Sequence, residues 1–407
     1  MAIGGKRFYF LGSLLQQRYN VHVVTLDERC YLQRDFSLPV AVSVHAAPAL
    51  PVYPPKKNPR SFFGIAFSYL WIRCFCIFDP FIGWLLPGFL RGLAVIKKHN
   101  IDMIIATGPP FCTMVIAWLL SAVTKKPFIL DYRDPWAGYA KGLDVKPFGK
   151  HINTRLERRA VRDAAAIVVV TPAMRELLMR AFPREAAGKC EVITNGFSVS
   201  EETAPLPLED GRKVILYAGT FYGQRRIGLL LEPLTHLIQR GELACDAFRF
   251  HVFGDLVPED RAAIAAAGLT RQVVEHRFVE YAALVRYMKG ADLLFLPSGT
   301  DVPFAIPGKF YDYLSAQRPV LAVGLPGSAL ENIVRETDCG EFAAIEDPGA
   351  IAEGIKKILS GSACYSFAGA ANYTWDNIAA QYDRLIQAVL THRQDLPACH
   401  RGKESHQ

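Results

Sequence analysis

Residues 301–324, DVPFAIPGKFYDYLSAQRPVLAVG, constrain the fold more than any other stretch. Pro303 and Pro307-Gly308 break any element before them, so a helix starts at Lys309 and runs to Ala316. The first turn of such a helix points unbonded N–H groups back at the loop, and anions, phosphates above all, are favoured there. Lys309 adds a positive charge, and Asp312, one turn on, can accept hydrogen bonds from sugar hydroxyls. Arg318-Pro319 ends the helix, and Val320 to Val323 reads as a buried strand. Loop, helix and apolar strand in that order make one unit of a parallel sheet covered on both faces.

The same unit recurs upstream. Lys213 to Ala218 reads as a strand, followed by the loop Gly219-Thr220-Phe221-Tyr222-Gly223 and a helix headed by Gln224-Arg225-Arg226. A glycine loop with paired arginines at a helix N-terminus is a phosphate-binding arrangement, although the P-loop spacing and its Lys-Ser/Thr ending are absent. Strands at 248–253, 274–278 and 292–296 end in Gly254-Asp255, Glu280-Tyr281 and Pro297-Ser298. Four strand ends therefore converge on one cleft.

The first half alternates in the same way. A helical pattern from Arg7 to Arg18 leads to a strand at 21–26, but only Met1-Ala2-Ile3 precedes Gly4-Gly5. A doubly wound domain places a strand before such a glycine turn, usually mid-sheet, with ligands at its carboxyl end. The first strand is therefore missing, and the reading favours a start downstream of the native one over a domain built without that strand. Further strands are expected at 101–106, 128–130, 166–170 and 190–194. The turn Thr107-Gly108-Pro109-Pro110 and the segment Asp131-Tyr132-Arg133-Asp134-Pro135-Trp136 follow two of them. Charges at the carboxyl end of a parallel strand lie where open α/β sheets place their chemistry. Burying Asp131, Arg133 and Asp134 is costly unless they pair with one another, so the alternatives are a catalytic group and a structural pair. Arg155, Arg158, Arg159 and Arg162 recur on one helix face, which reads as solvated.

These patterns divide the chain into an acceptor-side domain at 1–197, an acidic, proline-bearing linker at 198–212 and a second domain at 213–375. A closing helix at 376–393 is expected to pack back on the first domain, before a mobile tail at 394–407. Charge divides likewise. Residues 1–200 hold 26 Lys+Arg against 13 Asp+Glu, while residues 201–407 hold 20 against 26. A basic first half points to an anionic contact, and with no RNA- or DNA-binding signature a membrane surface or lipid phosphate ranks above nucleic acid. The loop bearing Lys56, Lys57 and Arg60, followed by Phe62, Phe63, Phe67, Tyr69 and Trp71, has the makings of a membrane-surface contact. The apolar run 61–78 contains Arg73 and falls short of the roughly 20 residues a span needs. No cleavable signal peptide is apparent, and the nine scattered cysteines read as free thiols in a reducing compartment. Together these point to a cytoplasmic chain, peripheral at the inner membrane face. No spacing offers a metal cluster.

Two tandem Rossmann-like domains, a phosphate site in the second and a carboxylate beside it resemble the GT-B glycosyltransferases of the family 4 type. The parts, in order, are Gly4-Gly5, TGPP, DYRDPW, TNGF, YAGTFYGQRR, FGD and IPGKFYDYL with RPVLA. The resemblance implies transfer of a sugar from a nucleotide diphosphate sugar, generally with retention and without metal or other cofactor. It implies that Arg226 holds the donor pyrophosphate and that Asp312, matching the second glutamate of the E-x7-E motif, binds the ribose. The first glutamate of that motif is replaced by Phe304, and the arginine that usually follows the first-loop glycine is Thr220. Arg133-Asp134 falls where many relatives carry a catalytic histidine. The donor side is thus expected at Gly219, Thr220, Arg225, Arg226, Gly254, Asp255, Tyr281, Pro307, Gly308, Lys309 and Asp312. Catalysis is expected from Asp134, Arg133 and Asp131, with Gly4, Gly5, Gly108 and Pro109 on the acceptor side. A lipid-linked or surface-polysaccharide acceptor follows from the basic first half. The alternatives are a non-catalytic sugar-nucleotide or partner-binding protein and a sugar-nucleotide epimerase of the same shape.

Overall fold

The structure is a computed structural model and describes residues 3–27, 42–49, 81–136, 147–199, 204–209, 211–277 and 279–394. The lysine-bearing loop and aromatic run expected to touch a membrane, and the tail beyond 394, lie outside the described residues.

The second half is a complete doubly wound domain. Its strands are β7 (Lys213–Ala218), β8 (Phe248–Phe253), β9 (Val273–His276), β10 (Leu293–Pro297), β11 (Val320–Gly324) and β12 (Gly340–Ala344). All pair in parallel, in the order β12-β11-β10-β7-β8-β9. Alternation sends Leu293 and Phe295 to one face and Leu294 and Leu296 to the other, and all four are buried. Strand order reverses between β7 and β10, so the loops leaving these two strands part and open a crevice there. The loop after β7 and the segment 298–308 therefore frame it. Helix α9 (Lys309–Ala316) starts as expected, whereas α6 (Gly228–Gln239) starts two residues beyond Arg226. Sequence periodicity did not register α7 (Pro258–Ala266), α10 (Ala329–Thr337), β12 or α11 (Pro348–Leu359).

In the first half β3 (Ile104–Gly108), β4 (Phe128–Tyr132), β5 (Ala166–Val169) and β6 (Cys190–Val192) form a parallel four-stranded sheet. A separate parallel pair joins β1 (His22–Leu26) to β2 (Ser43–Ala47). Among the described residues no strand bridges β1 and β3, the place a first strand holds in a doubly wound sheet. Helices α2 (Leu85–His99), α3 (Cys112–Thr124), α4 (Pro147–Asp163) and α5 (Pro172–Ala181) complete the unit, with the Thr171 hydroxyl capping α5 through the Met174 N–H. Gly4 and Gly5 do not form a turn after a strand: both lie in the first turn of α1 (Ile3–Leu15).

The last helix, α12 (Trp375–Gln394), crosses over and packs on α1 and the back of the first sheet, burying Ile378, Tyr382 and Ile386 against Leu11, Ile129 and Val168. The two chain crossings are bonded together: Phe197 N–H donates to the Tyr373 carbonyl at 2.9 Å and Trp375 N–H to the Phe197 carbonyl at 2.9 Å. Gly196 is required beside them, because a Cβ there would lie 2.8 Å from the Tyr373 carbonyl oxygen. A third tie comes from the 301–308 loop. Phe304, 7% exposed, packs into the first domain's core, and its carbonyl accepts from the Thr171 hydroxyl at 2.7 Å.

One buried ion pair joins these parts. Arg7 and Asp131 are fully buried and meet at 2.9 Å. Arg7 also donates to the carbonyls of Ile193 (2.8 Å) and Thr194 and to Asn195 Oδ1 (3.1 Å), while Asp131 accepts from Thr107 (3.1 Å) and Tyr382. Removing one partner leaves an uncompensated buried charge. Arg7→Met is therefore expected to cost about 3–5 kcal/mol, with Arg7→Met/Asp131→Leu recovering part of it, read from the urea unfolding midpoint. Phe304→Ala empties the ring's place in the first domain and is expected to weaken the inter-domain tie by about 3 kcal/mol. Small-angle scattering checks this as a larger radius of gyration with unchanged circular dichroism.

Candidate active site

The crevice at the switch between β7 and β10 is held by close backbone contacts. Gly219 has φ +133°, and a Cβ there would lie 2.0 Å from Lys309 Nζ. A Cβ on Gly254 would lie 2.3 Å from the Gly219 carbonyl oxygen. Only glycine lets the β7 and β8 loops touch while a lysine lies against the first.

Lys309 is the charged centre of this wall. Its Nζ donates to the Tyr217 hydroxyl at 2.9 Å and lies 4.3 Å from that ring's centroid. The Tyr217 hydroxyl in turn donates to the Thr220 carbonyl at 3.1 Å, fixing the glycine loop. Burial, then the charge of Arg225, pull the Lys309 ammonium down to about 8, with Asp312 opposing. A further positive charge is thus unwelcome there, and an anion relieves the strain. The helix itself contributes less than its sequence implied. Phe310 N–H bonds the Pro307 carbonyl and Tyr311 N–H the Gly308 carbonyl, so two first-turn donors are already engaged.

Arg225 and Arg226 lie in a turn ahead of α6, not in its first turn. Arg225 N–H bonds the Tyr222 carbonyl and its guanidinium lies over the Tyr222 ring, 4.9 Å from the centroid. Arg226, like Thr220 and Asp255, is exposed. Gln224 ties this turn to the β10 loop, accepting from the Thr300 N–H (2.7 Å) and hydroxyl (2.8 Å). Asp312 accepts from the Tyr281 hydroxyl at 2.7 Å, and Tyr281 opens α8 (Tyr281–Lys289). Asp312, Tyr281 and Gly308 line a small crevice at the domain seam together with Asn195 and Phe10 of the first domain.

On the facing domain β4 runs two residues further than expected and takes Asp131 into the sheet. The catalytic role expected of Asp131 is therefore corrected to a structural one. It is sealed from solvent and its oxygens are taken by Arg7, Thr107 and Tyr382. Arg133 and Asp134 follow the strand and remain at its open end. Arg133 is held by its N–H on the Gly108 carbonyl at 2.9 Å, and burial lowers its pKa against the pull of Asp131 and Asp134. Asp134 is exposed on one side and flanked by protein on the other, which raises its carboxyl above the ordinary value while Arg133 holds it down. Gly108 and Pro109 stand beside them at the end of β3, where Phe111 and Met114 leave no room for a larger residue at 108. Sequence reasoning missed Tyr217 and Thr300, and the tie that Gln224 makes to the latter. Tyr217 reads as one more buried strand residue, and only its position two residues before Gly219 marks it.

Residues 6–196 match the model of a glycosyl transferase 4-like domain, and residues 212–361 match that of the glycosyl transferases group 1. No curated protein matches the chain by sequence. Among solved structures, a sucrose-phosphate synthase from Thermosynechococcus elongatus is 16% identical over 95% of this chain and 92% of that one, with a TM-score of 0.63. The lipopolysaccharide outer core galactosyltransferase WaaB is 14% identical over 95% and 96%, with a TM-score of 0.62. HepE of Anabaena is 14% identical over 85% and 86%, with a TM-score of 0.55. At such identities these likenesses concern the fold. The two family models, met in order and covering most of the chain, give the activity class: the chain belongs to the GT-B glycosyltransferases of the family 4, group 1 type.

Proposed function

We propose that this glycosyltransferase binds a nucleotide diphosphate sugar in the crevice of its second domain and passes the sugar to a lipid-linked or surface-saccharide acceptor on the first. The observation that carries the reading is Lys309. A half-buried ammonium, seated by Tyr217 against a glycine that admits no side chain, answers to a diphosphate. The HepE structure named above is a complex with UDP, which supports a nucleotide as a ligand of this chain. Arg225 and Arg226 extend the positive surface, and Asp312, oriented by Tyr281, takes ribose hydroxyls.

As the bond from the anomeric carbon to the diphosphate breaks, its electron pair leaves with the diphosphate, and Lys309, Arg225 and Arg226 stabilise that charge. The acceptor hydroxyl forms the new bond. Its proton passes to the departing phosphate oxygen or to Asp134, whose raised pKa suits it to hold one. Retention of configuration, as in the family the chain belongs to, fits delivery of the acceptor from the leaving-group side. We assign the transfer no metal or other cofactor, with Lys309, Arg225 and Arg226 as the source of positive charge.

For a membrane-associated acceptor the support is the basic first half and a pair of apolar residues one turn apart on α2. Leu86 and Leu90 are 53% and 55% exposed. Among the described residues no helix is long and apolar enough to cross a membrane, so contact would be at the surface.

Thermal shift with UDP, GDP, ADP and TDP tests the donor site. One diphosphate at a hundredfold excess over its Kd is expected to stabilise the protein by about 2.7 kcal/mol. Arg226→Ala is expected to weaken that binding about tenfold or more, the worth of one charge-assisted hydrogen bond. No shift with any diphosphate overturns the reading. The pH dependence follows from Lys309. Below pH 8 its ammonium is present and affinity is level. Above pH 8 the free lysine is neutral, and the diphosphate must draw in a proton to bind. Calorimetry is expected to show Kd rising by up to about tenfold per pH unit above 8. In Lys309→Met binding is weaker and its dependence on pH above 8 is absent.

A further inference from the structure

Three histidines distant in sequence meet at the outer edge of the first domain, away from the cleft. His22 opens β1, His45 lies in the middle of β2 and His99 ends α2. Register pairs His22 with Ser43 and Val24 with His45, so both strand histidines leave the ribbon on one face, and α2 packs against both strands. One ring nitrogen of each histidine lies within 4.8 Å of those of the other two. His22 Nδ1 is 3.0 Å from His45 Nε2, and the rings of His22 and His99 are 4.1 Å apart, centre to centre.

One observation goes beyond proximity. The Nε2 atoms of His22 and His99 are both buried without a hydrogen-bond partner. Buried polar atoms nearly always have one, and two orphans in one cluster point to an absent partner common to both.

We propose that His22, His45 and His99 bind one divalent first-row transition-metal ion, zinc before others, at a structural site separate from the site of sugar transfer. Three imidazoles suit zinc, nickel or copper, whereas calcium and magnesium demand oxygen ligands that this set lacks. Nitrogens about 2.0 Å from a tetrahedral zinc lie about 3.3 Å from one another, so rotation of the side chains by about 1 Å closes the site. Water completes the fourth position. His22 is at the amino end of β1, and the cleft is at the carboxyl ends of the strands, about 13 Å further along a five-residue strand. The ion therefore acts on the fold. It ties β1, β2 and α2 together where the β1–β2 ribbon has no described strand beside it, and two-stranded ribbons are marginal alone.

The full chain, stripped with chelator and dialysed, is titrated with zinc. One equivalent is expected to bind, raising Tm by several degrees and slowing hydrogen exchange in β1 and β2 but not in residues 213–361. His22→Gln and His99→Gln, each with a metal-free Tm equal to that of the parent, are expected to lose that equivalent and the slowing while diphosphate binding is unchanged. Cobalt(II) in place of zinc is expected to give a spectrum without a thiolate charge-transfer band. The proposal is overturned if the parent takes up no more zinc than the variants. It is equally overturned if cobalt reports thiolate ligation, which would assign the metal to cysteines such as the exposed Cys245 and Cys364.

Discussion

The structure depends on one charged pair placed where water cannot reach it. Arg7 and Asp131 are both fully buried, and desolvating two charges is offset only when every remaining donor and acceptor is engaged. Here it is. Arg7 reaches three consecutive residues just after β6, Ile193, Thr194 and Asn195, while Asp131 draws in Thr107 of β3 and Tyr382 of α12. The first helix, the middle of the sheet, the end of the first domain and the last helix are thereby fixed to one another. Because Asp131 is drawn inward, the next two polar residues, Arg133 and Asp134, are placed at the mouth of the cleft. The ion pair contributes to chemistry by positioning its neighbours.

The second constraint is the loop between β10 and α9. It holds Phe304 at the place of the family's first motif glutamate, and there the ring packs into the opposite domain instead of facing a donor. Thr171 both caps α5 and binds the Phe304 carbonyl, so a helix start in one domain and a loop in the other share one hydroxyl. Five residues after Phe304 the same loop delivers Lys309 to the glycine crevice. The one loop thus carries both the contact between the domains and the lysine of the glycine crevice.

Much of this was legible in the sequence, and the reasons divide cleanly. Apolar runs bounded by glycine or proline gave β7, β8, β10, β11 and α9 closely, because burial on both faces leaves a strong signal. The crevice with Gly219, Gly254 and Lys309 followed from glycine loops at strand ends. Asp131 was misplaced because a charged residue reads as the end of a strand, and nothing local reveals that Arg7, 124 positions away, will meet it. Gly4 and Gly5 were misread because glycine marks a turn in sequence but is tolerated in a helix's first turn. The histidine cluster had no spacing to detect: its members come from two strands and a helix end, and only register brings them together.

The charges of the two domains complement one another across the cleft. The second domain is acidic in sum, yet its cleft wall presents Lys309, Arg225 and Arg226. The first is basic in sum, yet it presents Asp134 there, beside Arg133. Net charge therefore describes the outer surfaces, which meet solvent and other large partners, whereas the local inversion serves the reacting groups. A departing diphosphate needs positive charge on the donor wall, and an attacking hydroxyl needs an acceptor for its proton on the opposite one. The pKa directions fit this division. Lys309 is pulled down, so it is relieved by gaining an anion, and Asp134 is raised, so it is relieved by gaining a proton. In the proposed transfer each group gains what its surroundings favour, and the hydrogen bond from Thr171 to Phe304 ties the two domains that carry them.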